Sequence, residues 1–388
     1  MNERTQVAIV GAGPAGLMLS HLLHLAGIQS VVLETRDRAY VEARVRAGVL
    51  EHGAAEMLRA AGLGARLDRE GLVHRGIHLN FDGGRHRIDF EELVGRTIVV
   101  YGQQEVVRDL IQARLQAGGD VRFEAEAVAI DTPGPAVTYR AGGEEHVLEA
   151  DFVAGCDGSH GVGRRALNGA AVFDHEYEFG WLGVLARTPP ASEELIYAYH
   201  EHGFALHSMR SPEVSRLYLQ VRPDEELGDW PEQRIWSELR LRLGEPGLRE
   251  GEILDVGVTP MRSLVVEPMQ KGRLFLAGDA AHVVPPTGAK GMNLALADVA
   301  VLAAAMVRWF RDADDAALDA YSLTCLPRVW RAQRFSWFMT NLLHLGRGED
   351  EFEHRLRLAN LAYTASSRAA SASLAENYVG AATDGVTL

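Results

Sequence analysis

The chain has 388 residues, 47% apolar and 24% charged, and a formal charge of −14. That length suits two domains sharing a core, and the balance is that of a globular rather than a disordered chain. The acidic excess argues against a general nucleic-acid binder, whose surface must attract phosphates.

Its two cysteines, Cys156 and Cys325, form neither a disulfide framework nor a CxxC metal pattern, which points to a reducing cytoplasm. Met1 to Gln6 is polar and the following apolar run is cut at Gly11, so no signal peptide is expected. Val299 to Val307, the longest apolar run, is about half of a bilayer span, so no membrane anchor is expected either.

In chain order, residues 7–10 read as a buried strand, Pro14 to Leu25 carries helical apolar spacing, and Gln29 to Glu34 returns to strand. This β-α-β unit opens a doubly wound sheet. Thr132-Pro133-Gly134-Pro135 and Thr188-Pro189-Pro190 are turn signals. Tyr197 to His207 and Ser215 to Val221 read as strands of a separate antiparallel layer, since no crossover helix intervenes. Leu274 to Ala277 is a short buried strand followed by Gly278-Asp279, and from Asn293 onward the pattern is helical. No internal repeat is visible. The expected fold class is α/β (α+β mixed), with three parts. A Rossmann-like nucleotide-binding domain takes residues 1–73, 100–175 and 266–295, a substrate sheet takes 74–99 and 176–265, and a helical region takes 296–388.

Gly11-Ala12-Gly13-Pro14-Ala15-Gly16 is a GxGxxG placed directly between strand and helix. Gly11, Gly13 and Gly16 permit the tight turn and the close approach of a pyrophosphate to the helix N-terminus. Glu34, about 20 residues beyond the middle glycine, is placed to accept from a ribose hydroxyl. The fingerprint alone does not separate FAD from NAD.

Two later segments do so by resemblance. Gly155-Cys156-Asp157-Gly158 resembles the DG motif, and Phe275-Leu276-Ala277-Gly278-Asp279-Ala280-Ala281-His282 resembles the GD motif, of the group A flavoprotein aromatic hydroxylases. The likeness is strongest to the members acting on 4-hydroxybenzoate. It is carried by Arg46-Ala47-Gly48-Val49-Leu50-Glu51, Gly71-Leu72-Val73-His74, Phe179-Gly180-Trp181-Leu182-Gly183 and Glu194-Leu195-Ile196-Tyr197. Val265-Val266-Glu267-Pro268-Met269, Val284-Pro285-Pro286-Thr287-Gly288-Ala289-Lys290-Gly291 and Ala375-Glu376-Asn377-Tyr378-Val379-Gly380 extend it over essentially the whole chain.

The resemblance implies bound FAD, with NADH or NADPH and O2 as cosubstrates, and a C4a-hydroperoxyflavin that hydroxylates 4-hydroxybenzoate to 3,4-dihydroxybenzoate. It further implies a small aromatic carboxylate as partner and a homodimer, and no metal. Carried over residue by residue, Ser208, Arg210 and Tyr218 meet the substrate carboxylate. A guanidinium suits that anion because it can offer two parallel hydrogen bonds in an apolar pocket. From pattern alone, Ser208 and Arg210 read equally as alternating residues of a solvated strand face. At the phenol end Tyr197 accepts the proton, Tyr378 relays it, and His74 passes it to solvent, its ordinary pKa lying near about 6.5. Without the resemblance, Tyr197 reads as a packed sheet aromatic and His74 as a surface loop residue.

Pro286 and Thr287 match the loop beside the flavin, with the Pro286 carbonyl facing the phenol. Gly291 and Asn293 lie where the next helix opens, its dipole favouring negative charge on the reduced ring. Arg44, Arg46 and Gln103 match FAD contacts, with Asp157 and Asp279 from the two motifs. Arg216 matches a residue that steers the flavin between two positions; its alternative reading is a structural ion pair. Arg36, Tyr40, His160 and Arg262 are candidates for the nicotinamide partner, with ordinary surface residues as the alternative.

One departure stands out. Thr35 occupies the position after Glu34 where NADPH-preferring members carry arginine, and Asp37 and Glu42 oppose a 2′-phosphate. Arg36, Arg38 and Arg44 are the remaining cations there, and NADH is expected to serve at least as well as NADPH. Rival functions are a flavin reductase or oxidase, a non-catalytic FAD sensor, and a hydroxylase of a substituted 4-hydroxybenzoate. His207 and Met209 either shape the pocket wall or face away.

Overall fold

In this computed structural model, residues 3–44 and 48–380 are described. The first sheet grows from the strand Glu3–Val10, with residues Val7 to Val10 nearly or wholly excluded from solvent. Ser30–Leu33 lies parallel on one side of it and Glu144–Gly155 on the other, followed by Leu274–Leu276. Pro14 occupies the first turn of the helix Pro14–Leu25, where its missing N–H costs nothing. The second strand is one residue shorter at each end than its apolar pattern suggests, because Glu34 already turns away to a loop role.

The second sheet has eight strands in the order His282–Val283, Glu252–Glu267, Ala171–Arg187, Val214–Val221, Ala205–Ser211, Leu195–Ala198, Gly76–Phe81, Gly84–Asp89. All its pairings are antiparallel save one, Leu195–Ala198 beside Gly76–Phe81. The expected strand from Tyr197 to His207 is two strands. The chain turns back between them, with Gly203 at φ +109° and its N–H donating to the His200 carbonyl at 2.8 Å. Only glycine adopts that φ without strain. Ala171–Arg187 and Glu252–Glu267 pair along their length, with irregularities between Glu176 and Gly180 and between Leu185 and Ala186, and both strands run through residues 175/176 and 265/266.

Side chains alternate across these strands and so define two different faces. Ile196, Ala198, Ala205, Leu217 and Leu219 pack under the helix Glu232–Leu243 through Ile235, Trp236 and Leu239. Tyr197 and Leu206 point the other way, into a cluster with Phe335, Met339, Leu342 and Tyr378 of the C-terminal helices. A small third sheet, Val49–Leu50, Ile98–Val100 and Leu72–His74, closes the edge of the same space.

The C-terminal part is helical as expected: Gly291–Asp312, Ala316–Asp319, Tyr321–Leu343, Glu351–Ser366 and Arg368–Val379. Gly291–Asp312 is long and apolar enough to cross a membrane by length and composition. Its Leu296, Val299, Leu302 and Met306 instead sit in the first sheet's core with Leu17 and Phe275, which accounts for its apolarity.

Candidate active site

The glycine turn is shaped by close approach on two sides and left open on the third. A Cβ on Gly11 would lie 2.4 Å from the Cys156 carbonyl oxygen, and one on Gly16 would lie 2.0 Å from that of Gly11. Gly13 has nothing within 4 Å, and it caps the N-terminus of Pro14–Leu25. Glu34 is held with one oxygen accepting from Ala12 N at 2.8 Å and the other from Arg36 N at 2.9 Å. Asp157 accepts from Gly163 N at 2.7 Å through Oδ2, while its buried Oδ1 has no partner. Burial raises this carboxyl above its ordinary range. Arg164 donates to the carbonyls of Asp279 at 2.8 Å and Ala280 at 3.0 Å, tying the two acidic motifs together. An open glycine cradle, a fixed carboxylate and an orphaned buried oxygen fit a dinucleotide such as FAD.

Gln103 opens the helix Gln103–Gln116. Arg44 is an exposed residue at the end of Arg38–Ala43, and Arg46 lies outside the described residues. Gly291 starts its helix beside the turn Pro286–Gly288. Asn293 is fully engaged with backbone: Oδ1 accepts from Glu51 N at 2.9 Å, and Nδ2 donates to Val49 O at 2.9 Å and Ala289 O at 2.8 Å. It therefore fixes the loop rather than presenting a free amide.

The strand register brings the predicted substrate residues onto one face. Tyr197 pairs with Leu206, Leu206 with Tyr218, and Ser208 with Arg216, so these five positions share the side that faces the C-terminal helices. Arg210 sits at an irregularity between Met209 and Ser211 and is tied to Tyr218 by a side-chain hydrogen bond. Ser208 is buried and its hydroxyl has no partner; the same holds for Arg210 Nε. Burial lowers the Arg210 pKa, with the Tyr218 phenol its main favourable neighbour. Arg216 ion-pairs with Asp255 at 2.9 Å and lies 5.4 Å over the Tyr218 ring. His207 pairs with Ile196 and so faces the other side, its Nε2 accepting from Ala191 N at 3.1 Å. Met209 is half-buried.

Tyr197 and Tyr378 come together from strand and terminal helix, their hydroxyls 2.6 Å apart and both rings at 1% exposure. Burial raises both phenol pKa values, and for Tyr197 the neighbouring Tyr378 adds to the rise. His74 is no surface loop residue. It ends the strand Leu72–His74 at 2% exposure, both ring nitrogens lack partners, and burial lowers its pKa to about 4. It makes no direct hydrogen bond to the tyrosine pair.

Thr287 is wholly buried, and its hydroxyl accepts from Thr340 at 3.0 Å. Of the nicotinamide candidates, Arg36 and Tyr40 are exposed with the guanidinium 5.2 Å over the ring, His160 is exposed elsewhere, and Arg262 is half-buried and paired with Asp174 at 2.7 Å.

Two buried pairs had no role in the sequence analysis. Lys290 Nζ donates to Glu51 at 2.5 Å and to the Tyr378 carbonyl at 3.0 Å, bracing the terminal helix against the turn Pro286–Gly288. His282 lies 2.6 Å from Asp298, whose same oxygen accepts from Gly278 N at 3.0 Å. Burial opposes charge on His282, yet the Asp298 carboxylate prevails and raises its pKa. A lysine and a histidine inside apolar, glycine-rich runs were the only signals available.

A FAD-type cradle joined to a sheet whose inner face gathers arginine, serine and a tyrosine pair defines the class of flavin-dependent aromatic hydroxylases. A family profile described as "FAD binding domain" covers residues 4–336. The chain is 46% identical over 385 residues, 97% of itself and 95% of the relative, to p-hydroxybenzoate hydroxylase of Acinetobacter baylyi (strain ATCC 33305 / BD413 / ADP1). It is 28% identical over 334 residues to aklavinone 12-hydroxylase RdmE of Streptomyces purpurascens, covering 77% of this chain and 61% of that one. Among solved structures, p-nitrophenol 4-monooxygenase PnpA from Pseudomonas putida DLL-E4 shares the fold, with a TM-score of 0.86 over 98% of this chain and 99% of that one at 18% identity. The chain belongs to the p-hydroxybenzoate hydroxylase family.

Proposed function

We propose that the protein hydroxylates 4-hydroxybenzoate beside its phenol, giving 3,4-dihydroxybenzoate. The balance consumes one O2, one NAD(P)H and one proton and yields NAD(P)+ and water. The observation that carries this reading is the sheet face with the unpartnered Ser208 Oγ and Arg210 Nε at one end and the Tyr197–Tyr378 pair at the other. Gly11, Gly13, Gly16, Glu34, Asp157 and Asp279 would hold FAD, which would supply the electron transfer from NAD(P)H and the activation of oxygen.

The chain's own residues do the rest. Arg210, Ser208 and Tyr218 bind the carboxylate through charge-assisted hydrogen bonds and fix the ring's direction. Tyr197 takes a hydrogen bond from the substrate phenol and moves its proton toward Tyr378, raising electron density at the carbon to be hydroxylated. The Pro286 carbonyl and Thr287 hold the ring edge, and the aromatic cluster around Tyr197 excludes water. His74 receives the proton last and passes it to solvent.

Residues 1–73, 100–175 and 266–295 serve as the cofactor part and 74–99 and 176–265 as the substrate sheet, the two joined by strands that run through 175/176 and 265/266. Residues 296–388 serve as the helical cover, of which 381–388 lie outside the described residues. NADH serves at least as well as NADPH; in support, Arg38 is neutralised by Glu42 at 2.6 Å. Cytoplasmic residence is supported by the free thiols Cys156 and Cys325. A homodimer is supported by Trp337, Phe338, Leu356 and Tyr363, which stand exposed around a cleft of about 720 Å³ on the helical cover.

The test is stopped-flow flavin reduction by NADH and by NADPH, with and without 4-hydroxybenzoate, followed by product analysis in air. Strong stimulation with 3,4-dihydroxybenzoate formed is expected. Stimulation with peroxide alone reassigns the substrate to a substituted 4-hydroxybenzoate, and no stimulation overturns the reading.

A further inference from the structure

The helix Tyr321–Leu343 and its cap present a buried polar row, Ser336, Thr340 and His344, toward the inside of the molecule. Spacing by four places the three on one stripe. All are at most 2% exposed. At one end of the row, a Cβ built on Gly288 would lie 2.8 Å from Ser336 Oγ, and Thr340 Oγ1 donates to Thr287 Oγ1 at 3.0 Å. At the other end, Trp181 Nε1 donates to His344 Nε2 at 2.7 Å, and His344 Nδ1 lies 3.0 Å from the Thr340 carbonyl. Trp181 in turn lies 4.8 Å from Tyr218, ring centre to ring centre.

The chemistry of the partners fixes the tautomer. A carbonyl only accepts and an indole N–H only donates, so His344 serves both only as the neutral Nδ1–H form. Burial agrees, lowering its pKa to about 3. The ring is also held between Phe204 at 4.3 Å and Phe179 at 4.6 Å. Packing alone does not call for this row, because apolar groups of the same shape fill such a space at little cost. Directional bonds add what apolar groups lack, a set angle between the elements they join.

We propose that His344, acting with Thr340, is a positioning residue that sets the Trp181–Tyr218 wall of the carboxylate end against the Pro286–Gly288 turn at the phenol end. The row thereby fixes the distance between the point where the aromatic acid is gripped and the point where its ring reacts. The inference rests on reading Ser208, Arg210 and Tyr218 as the carboxylate clamp, so the experiment separates the two.

The variants are His344→Phe, His344→Gln, Thr340→Val and Arg210→Gln in the FAD-loaded protein. The readouts are KM for 4-hydroxybenzoate, maximal NAD(P)H oxidation, product formed per NAD(P)H, and FAD dissociation. His344→Phe keeps the ring stack and loses both bonds; KM is expected to rise about tenfold with maximal oxidation within about twofold, the signature of lost binding geometry. His344→Gln, whose amide can accept from Trp181 and donate to the Thr340 carbonyl, brings KM back to within about threefold of the parent. Thr340→Val releases only the turn, so product per NAD(P)H falls by about half or more while KM holds. FAD dissociation is unchanged in all three.

An unaltered KM in a folded His344→Phe overturns the proposal. So does a rise in KM that tracks lost FAD affinity and is not rescued by His344→Gln, since that pattern is general loosening. Should His344→Phe fail to fold, full coupling in Thr340→Val overturns it alone. Unchanged KM in Arg210→Gln removes the clamp and the proposal with it, whereas impaired Arg210→Gln beside unaltered His344→Phe removes only the positioning row.

Discussion

The two ends of the reactive face are built in opposite ways. At the carboxylate end, Ser208 Oγ and Arg210 Nε are buried without partners, a costly arrangement for a folded protein standing alone. At the phenol end, Tyr197 and Tyr378 satisfy each other at 2.6 Å. The first end is thus complete only with an anion in place, while the second is complete already and must share its hydrogen bond when a phenol arrives. Binding free energy comes from the first and chemistry from the second. Substrate grip and reactivity are then separable by mutation.

Arg210→Gln is the strongest way to break that separation. Removing one member of a buried charge-assisted contact weakens binding by roughly 2–5 kcal/mol, so Kd for 4-hydroxybenzoate rises on the order of a hundredfold or more. Equilibrium titration checks it, and an unchanged Kd places the anion elsewhere. Tyr197→Phe acts at the other end: binding stays within about threefold, while product formation falls roughly a hundredfold, as for loss of a proton acceptor. Flavin reduction with substrate present continues. Parental product yield from this variant removes Tyr197 from the reaction.

The comparison also has a pH dimension. Burial lowers the His74 pKa to about 4, with Glu194 opposing the fall and Arg210 adding to it. The folded state therefore binds fewer protons than the unfolded chain between about pH 6.5 and pH 4. Stability is full above that window and is lost as pH falls through it, by roughly 3 kcal/mol from this one group. His74→Asn is expected to flatten part of the acid limb in thermal melts between those values, and an unchanged limb shows that His74 is hydrated in solution.

How much of this was readable in the sequence follows from the range of each interaction. The β-α-β opening was legible because Gly11, Gly13, Gly16 and Glu34 act through local geometry, and the helix Pro14–Leu25 has the predicted bounds. The single strand expected from Tyr197 to His207 failed because alternation continues across a glycine turn that only φ reveals. His74 was misread as exposed because three residues of strand carry no burial signal without the sheet they join. Lys290–Glu51 and Trp181–His344 join residues far apart in sequence, and each partner alone looks like an ordinary polar residue in an apolar run. Resemblance pointed to Tyr378; the bond to Tyr197 is a fact of the tertiary fold.

The smallest effect is expected at His207, and it is the sharpest check on which face of the sheet matters. His207 stands next to Ser208 in sequence, so a reading by proximity makes it part of the carboxylate wall. Its register partner Ile196 belongs to the cluster under Glu232–Leu243, on the far side from Tyr197. Its Nε2 accepts from Ala191 N and burial lowers its pKa to about 4, so it is a neutral structural acceptor at pH 7. Replacing it with valine removes one neutral hydrogen bond and costs stability by about 1 kcal/mol, read as a lower melting temperature. Kd for 4-hydroxybenzoate stays within about twofold, because no atom of His207 lies on the reactive face. A tenfold change in Kd with an intact melt breaks the register argument, and with it the assignment of grip to Ser208 and Arg210 on one side of the strand.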